Sequence, residues 1–166
     1  MEDSQSSDLG QVSYQFLYET DNMDEIRQLF REYEASIQVD LCFQQFAEEL
    51  ASLPGQYRSP GGALLLAVVD GQPAGCVAMH RLTEEICEMK RLFLRHTYRG
   101  LGIGKSLVNR MIEEAVERGY RFMRLDTLPC MQEAQQLYEA LGFVDIEPYV
   151  FNPIQGARYM ELKLPS

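Results

Sequence analysis

The fold is most clearly encoded in Arg99-Gly100-Leu101-Gly102-Ile103-Gly104, where a strand pattern ends and a helix pattern begins. Residues 86–94 form a predicted strand upstream, and apolar residues recur at helical spacing from Ile103 to Ala115. Glycines at this junction allow successive backbone amides to stay unpaired and to point outward at the start of the helix. The segment therefore predicts an anion site, with Arg99 and Lys105 adding positive charge at its edges.

Two common phosphate motifs fail here on residue identity. The Walker motif needs a glycine at position 99, where the chain has arginine. The dinucleotide motif needs a third glycine at position 105 or 107, and these positions hold Lys105 and Leu107. A diphosphate held by backbone amides remains as the functional interpretation, and a tight turn without a ligand is the alternative.

The rest of the chain predicts an α/β domain with a mixed, mostly antiparallel sheet of about seven strands, flanked by helices on both faces. We expect a polar leader over residues 1–13 and a single domain over residues 14–166. The predicted strands cover residues 14–19, 63–69, 74–82, 86–94, 122–126, 143–146 and 158–164. The predicted helices cover about 26–33, 43–50, 103–115 and 130–141.

Composition narrows the class of protein. The net charge of -10 argues against nucleic acid as a partner. Without an apolar run of membrane-spanning length or a signal peptide, we expect a soluble, cytoplasmic protein with no membrane partner. Ten of the fifteen Lys and Arg fall between Arg81 and Arg124, against six acids, and this basic stretch in an acidic protein suits a small polyanion.

Cysteine spacing predicts no metal site. The four cysteines are widely separated, without the paired spacing that zinc sites use. They are interpreted as reduced core or near-core thiols. A nucleophilic cysteine is the alternative, but no obvious base stands beside any of them. The cysteines are Cys42, Cys76, Cys87 and Cys130.

Together these features resemble motif A of the GNAT superfamily of N-acetyltransferases, which reads Arg or Gln, two residues, Gly, one residue, then Gly or Ala. Arg99, Gly102 and Gly104 satisfy it. The strand Glu88 to Leu94 and the later segment Ala134 to Phe143 also resemble that family in order and spacing. The resemblance covers roughly residues 62–145 well, and the two N-terminal helices only by element order.

The resemblance implies acetyl-CoA as co-substrate, bound in a V-shaped cleft between the strand ending at Leu94 and the strand 122–126. The pantetheine chain would hydrogen-bond to backbone groups of residues 92–94. The pyrophosphate would lie on amides of residues 100–105, and Ala134 and Tyr138 would face the cofactor from the following helix. The implied cofactor-binding residues are Leu92, Phe93, Leu94, Arg99, Gly100, Leu101, Gly102, Ile103, Gly104, Lys105, Ala134 and Tyr138.

The same resemblance suggests two catalytic residues. Tyr138 stands where family members place a tyrosine that protonates the departing thiolate, and packing of one helix face is its alternative role. Glu88 lies eleven residues before Arg99, which matches the spacing of a glutamate general base. A bulge near Leu92 would change which side chains face the site, so an ordinary salt bridge of Glu88 with Arg91 or Lys90 stays open. His80 or a water chain as the base stays open as well.

One position departs from the family. Met131 stands where many members carry an asparagine that contacts the cofactor, which lowers the expectation of cofactor contacts from that helix. Motif A is unaffected by this difference.

The sequence thus predicts an N-acyltransferase that moves an acetyl or longer acyl group to a primary amine of a small molecule or peptide by direct attack in a ternary complex. A catalytically silent acyl-CoA-binding module is the alternative. The acidic surroundings favour a cationic amine, and the acceptor is expected between the N-terminal helices and residues 147–153. A homodimer through the last strands is an expectation from the resemblance alone.

Overall fold

Seven strands form one sheet in the computed structural model, which describes residues 10–37 and 45–166. The strands are β1 (Val12–Leu17), β2 (Ala63–Val69), β3 (Gln72–Arg81), β4 (Ile86–Leu94), β5 (Phe122–Thr127), β6 (Val144–Asp145) and β7 (Arg158–Lys163). The helices are α1 (Asp24–Ile37), α2 (Phe46–Ser52), α3 (Ile103–Glu117) and α4 (Gln132–Ala140).

The sheet order is β1-β2-β3-β4-β5-β7-β6. β1 to β4 pair antiparallel, and β2 to β4 form a meander because the two connections between them are short turns. The single parallel pair is β4 with β5, since α3 carries the chain back across the sheet between them. The predicted mixed, mostly antiparallel sheet of seven strands is confirmed.

Helices cover both faces of the sheet, as predicted. On one face, Leu107 and Met111 of α3 and Tyr138 of α4 pack against Leu65 and Met79. On the other face, α1 and α2 bury their apolar sides, with Ile26, Leu29, Phe30 and Phe46 packed against Leu64, Leu66 and Ala78. The alternation along β2 explains this, since neighbouring residues of a strand point to opposite faces.

Element ends differ from the predictions by a few residues. β1 begins at Val12, two residues before the expected boundary between leader and domain, because Val12 pairs with Val69. α2 begins at Phe46, while Phe43, where this helix was predicted to begin, lies outside the described residues.

The cysteines fall into two environments. Cys76 and Cys87 are buried thiols, as predicted, and burial raises the pKa of Cys87 to about 12. The expectation was wrong for Cys130, which is exposed just before α4. Cys42 lies outside the described residues.

Candidate functional site

A cleft opens where β4 and β5 separate. The two parallel strands are paired only from Ile86 to Glu88 on β4 and from Phe122 to Arg124 on β5, although β4 continues to Leu94. Beyond the last paired residues the strands diverge and leave a cleft of about 600 Å³. The volume lies within the usual range for a small-molecule or cofactor site. This is the V-shaped cleft that the sequence predicted.

A bulge in β4 shapes one wall of this cleft. Arg91 has a φ of 63°, which is unusual for a residue other than glycine, and the register with β3 shifts between Cys76 and Ala78. The bulge that the sequence left open near Leu92 is present, and it is centred on Arg91. After it, the predicted cofactor residues Leu92, Phe93 and Leu94 line the cleft.

The glycine turn forms the outer end of the cleft. Gly100 and Gly102 have φ values of 79° and 84°, so the backbone itself favours glycine there. Gly104 is different, since it lies inside α3 and, apart from its own helix backbone and chain neighbours, no protein atom lies within 4 Å of where its Cβ would be. Neither a positive φ nor packing by surrounding protein groups requires glycine at position 104.

The amides of this turn are available to an anion. No described residue accepts a hydrogen bond from the backbone amides of residues 100–105, and the first helical bond runs from Ser106 N–H to Gly102 O at 3.1 Å. Arg99, Gly100, Gly102, Gly104 and Lys105 line the cleft. Ile103 is buried in the core and the Leu101 side chain is partly exposed, so these two predicted residues offer the cleft only their amides.

Ion pairs neutralise half of the cations in the basic stretch. Five of its ten cations are paired with carboxylates: Arg91, Arg95, Arg118, Arg121 and Arg124. Within the described residues, Arg99 and Lys105 at the cleft form no ion pair, and the Arg99 Nε donates to Leu94 O at 2.9 Å. Two of the cations left without a carboxylate partner therefore lie beside the glycine turn.

Helices α4 and α1 close the cleft from either side. Ala134 and Leu137 of α4 line it, together with Tyr33 and Ile37 of α1. Met131 lines it as well, but its Sδ accepts a hydrogen bond from the Leu128 amide at 3.4 Å. The thioether thus supports the turn before α4, where the family's usual asparagine would offer a polar group to the cofactor.

Tyr138 lies beside the inner end of the cleft. It lines a separate small cavity that shares Tyr33, Leu92 and Met131 with the cleft. Its ring packs on Phe143 at a centroid distance of 5.6 Å, and no described residue hydrogen-bonds its hydroxyl. Burial raises the pKa of Tyr138, so the phenol keeps its proton. Its cofactor and catalytic roles stay predictions.

Glu88 is held in a buried network. One carboxylate oxygen lies 2.7 Å from His80 Nε2, and the other accepts a hydrogen bond from the Tyr149 hydroxyl at 2.7 Å. Burial alone would raise the pKa of Glu88, but the bonds from His80 and Tyr149 and the charge of Lys90 lower it to about 2. The base role of Glu88 stays a prediction, and a carboxylate with so low a pKa takes protons weakly.

The loop after β6 lies on the same sheet face as Glu88. Tyr149 binds Glu88, and the Asn152 amide donates to Asp126 Oδ2 at 3.0 Å. This loop contains the segment 147–153 that the sequence placed near the acceptor. Sequence reasoning missed Asp126 and Lys90, because the only signal for them is the register between β4 and β5.

Among residues 10–37 and 45–166, no three His, Cys, Asp or Glu side chains are grouped so that they could hold a metal ion. In the same residues, no helix has the length and apolar character needed to cross a membrane.

Known proteins resemble this chain in sequence and in fold. The sequence profile of the Acetyltransferase (GNAT) family matches residues 22–143. An uncharacterized N-acetyltransferase of Schizosaccharomyces pombe is 39% identical, over 86% of this chain and 89% of that protein. An acetyltransferase from Streptococcus agalactiae superposes with a TM-score of 0.75 at 21% identity, over 91% of this chain and 98% of that one. An acetyltransferase from Salmonella typhimurium, solved with its cofactor acetyl-CoA, gives 0.65 at 17% identity, over 93% and 94%.

Proposed function

Because the chain belongs to the GNAT family of acetyltransferases, we propose that it is an acetyl-CoA-dependent N-acetyltransferase acting on a primary amine. The Salmonella protein with its bound acetyl-CoA supports the same donor here. The observation that carries the proposal is Gly104, a helical glycine that neither the backbone nor the packing requires, at the mouth of the cleft.

The residues present fit coenzyme A. Amides of residues 100–105 would hold the pyrophosphate, with Arg99 and Lys105 at its edges. The backbone of residues 92–94, beyond the β4 bulge, would hold the pantetheine chain as a neighbouring strand would. Ala134 would approach it from α4. When bound, the group supplies an activated acetyl thioester.

Groups of the protein itself would then assist direct transfer of the acetyl group to the amine. Backbone amides near Leu92 would stabilise the oxyanion at the thioester carbon. Tyr138, which keeps its proton, would donate it to the departing thiolate. The amine must lose a proton before it attacks, to Glu88, to His80 or to a water molecule held by them. No covalent bond to the enzyme is needed, because both substrates are held side by side.

Gly104→Glu tests this proposal. Glutamate near the N-terminus of a helix suits the helix dipole, so the variant should fold normally, yet its side chain would occupy the diphosphate site. We expect the Kd for acetyl-CoA, measured by calorimetry, to rise by at least about 100-fold, or roughly 2.7 kcal/mol. Asn109→Glu adds the same charge to α3 away from the cleft and should leave the affinity unchanged.

A thiol-release assay over a panel of amines completes the test. Release of CoA that depends on an amine, and that Gly104→Glu abolishes, supports the proposal. Tight binding of acetyl-CoA without release for any amine would favour a silent binding module instead. Unchanged donor affinity in Gly104→Glu would remove the assigned site.

A further inference from the structure

Lys90 on β4 and Asp126 on β5 carry opposite charges at the same level along the two strands, where the strands begin to separate. The last paired residues are Glu88 on β4 and Arg124 on β5. Lys90 and Asp126 each lie two residues further along, so both point to the sheet face that carries Glu88. Lys90 pairs with Ala78 of β3, whose side chain packs on the face covered by α1 and α2. The face opposite α3 therefore presents a cation and a carboxylate across the opening of the strands.

The neighbouring charges already have partners. Arg91 and Glu49 form a buried ion pair at 2.8 Å, and Arg124 pairs with Glu161 at 2.8 Å. Both oxygens of Glu88 are taken by His80 and Tyr149. These pairs account for the ionised groups next to the opening other than Lys90 and Asp126.

Lys90 and Asp126 differ from these neighbours. Among residues 10–37 and 45–166 neither side chain forms an ion pair, with each other or with any other group. The hydrogen bond to Asp126 comes from the neutral amide of Asn152 at 3.0 Å. The Lys90 charge acts on Glu88 only through space, by lowering its pKa. Both side chains are half-buried, so each is within reach of a ligand.

The two residues also flank the place where acyl transfer would occur. Lys90 and Asp126 line the small polar cavity that contains Tyr138, and this cavity shares Leu92 with the cleft. Its volume is about 20 Å³, which admits one water-sized group such as an amine and no more. The remainder of an acceptor must therefore lie outside the cavity, against the charged side chains at its edge.

We propose that the acceptor is a free α-amino acid, an inference that rests on the proposed acetyltransferase function. Asp126 binds the ammonium group, and Lys90 binds the carboxylate next to it. Neighbouring strands lie about 4.8 Å apart and here begin to diverge, so two such side chains bracket a group of a few heavy atoms. The amine of a protein lysine or of a peptide N-terminus has no free carboxylate beside it and would leave Lys90 without a partner.

Steady-state kinetics on matched acceptors tests the inference. The standard L-α-amino acids and their α-carboxamides are compared in a thiol-release assay. We expect kcat/KM for the best amino acid to exceed that for its amide by about 10- to 100-fold, the effect of a hydrogen bond to a charged group. Lys90→Met should erase this preference by raising KM for the acid alone. Asp126→Asn should lower kcat/KM for acid and amide together.

Lys163→Met is the matched control, because it removes an exposed lysine from β7 and should change neither substrate. Equal use of acids and amides by the unchanged protein overturns the inference while leaving the acetyltransferase function intact. An equal loss for both substrates in Lys90→Met also overturns it.

Complete absence of turnover, by contrast, counts against the proposed function. Calorimetry of L-amino acids with the CoA-saturated protein then decides the inference by itself. Binding that Lys90→Met abolishes supports it, and absence of binding refutes it.

Discussion

Tyr138 combines two properties that are seldom found together in a packing tyrosine. Its side chain is buried, yet no described residue hydrogen-bonds its hydroxyl, whereas buried hydroxyls usually have a partner. Burial also raises its pKa, so the hydroxyl is protonated and can donate a hydrogen bond. A thiolate leaving group is a partner of suitable chemistry for this hydroxyl.

Tyr138→Phe separates the packing of the ring from proton donation by the hydroxyl. Phenylalanine keeps the contact with Phe143, so we expect the melting temperature to change by less than about 2 °C. We expect kcat to fall by about 100-fold, and the Kd for acetyl-CoA to stay within about 3-fold, because only proton donation is lost. Stopped-flow and calorimetric measurements check the two values. A kcat equal to that of the unchanged protein would leave Tyr138 with a packing role only.

The Met131 position illustrates how one residue serves two elements. Its sulfur accepts hydrogen bonds from the Leu128 amide at 3.4 Å and from the Thr127 hydroxyl at 3.6 Å, while its side chain lines the cleft. The Met131 sulfur therefore supports the turn before α4, although this chain lacks the asparagine that many family members carry at this position.

At the scale of elements, α2 is fastened to the bulge of β4 by a buried ion pair. Arg91 donates two hydrogen bonds to Glu49, at 2.9 and 2.8 Å, and its guanidinium lies 5.0 Å from the Phe46 ring centroid. The Tyr57 hydroxyl donates a further bond to Glu49 at 2.9 Å. The side chains of Arg91 and Glu49 are 1% and 7% exposed, so breaking the pair leaves a charge without water.

Glu49→Ala should therefore destabilise the protein by about 3–5 kcal/mol, because the Arg91 charge stays buried without its partner. Urea unfolding measures this change. Glu48→Ala removes an exposed carboxylate from the same helix and should cost less than about 0.5 kcal/mol. Equal effects of the two substitutions would contradict the importance of the pair.

Element types were predictable from the sequence because their signals are local. The period of apolar residues identified α3, and the short turns at Asp70-Gly71 and at residues 82–85 separated β2, β3 and β4. The partner of each site residue was not predictable in this way. Glu88 and Tyr149 are 61 positions apart, and Arg91 and Glu49 are 42 apart, so their contacts depend on the finished fold. The opposition of Lys90 and Asp126 depends likewise on the parallel register.

For the molecule as a whole, the uneven charge distribution along the sequence leads to ion pairs between the basic stretch and acidic elements. The sequence has a net charge of -10 and a basic stretch between Arg81 and Arg124. In the folded chain Arg91, Arg95 and Arg124 of that stretch bind carboxylates from α2, α1 and β7. Part of the stretch thus ties α1, α2 and β7 to the centre of the sheet through ion pairs.

Acid stability of the whole fold depends on Glu88. Its pKa is about 2 in the folded chain against an ordinary 4.5, so the ionised group stabilises the fold above pH 4.5. That contribution, roughly 3 kcal/mol, is lost as the pH falls from about 4.5 towards 2. We expect the stability advantage over Glu88→Gln, measured by urea unfolding, to be about 2 kcal/mol smaller at pH 3 than at pH 6.

The exposed Glu113 gives the control for this measurement. Glu113→Gln should show the same pH dependence as the unchanged protein, because the Glu113 side chain lies in water on α3. An advantage over Glu88→Gln that does not change with pH would show that the Glu88 network contributes nothing to acid stability.

Helix stability and ligand space favour different residues at position 104, where the protein leaves open space. Glycine inside a helix costs about 1 kcal/mol relative to alanine, and nothing in the surrounding protein resists an added methyl group. A randomised library at this codon should therefore divide: selection for heat resistance enriches alanine, and selection for turnover retains glycine. If the proposed diphosphate site is occupied there, glycine at this position exchanges thermal tolerance for room.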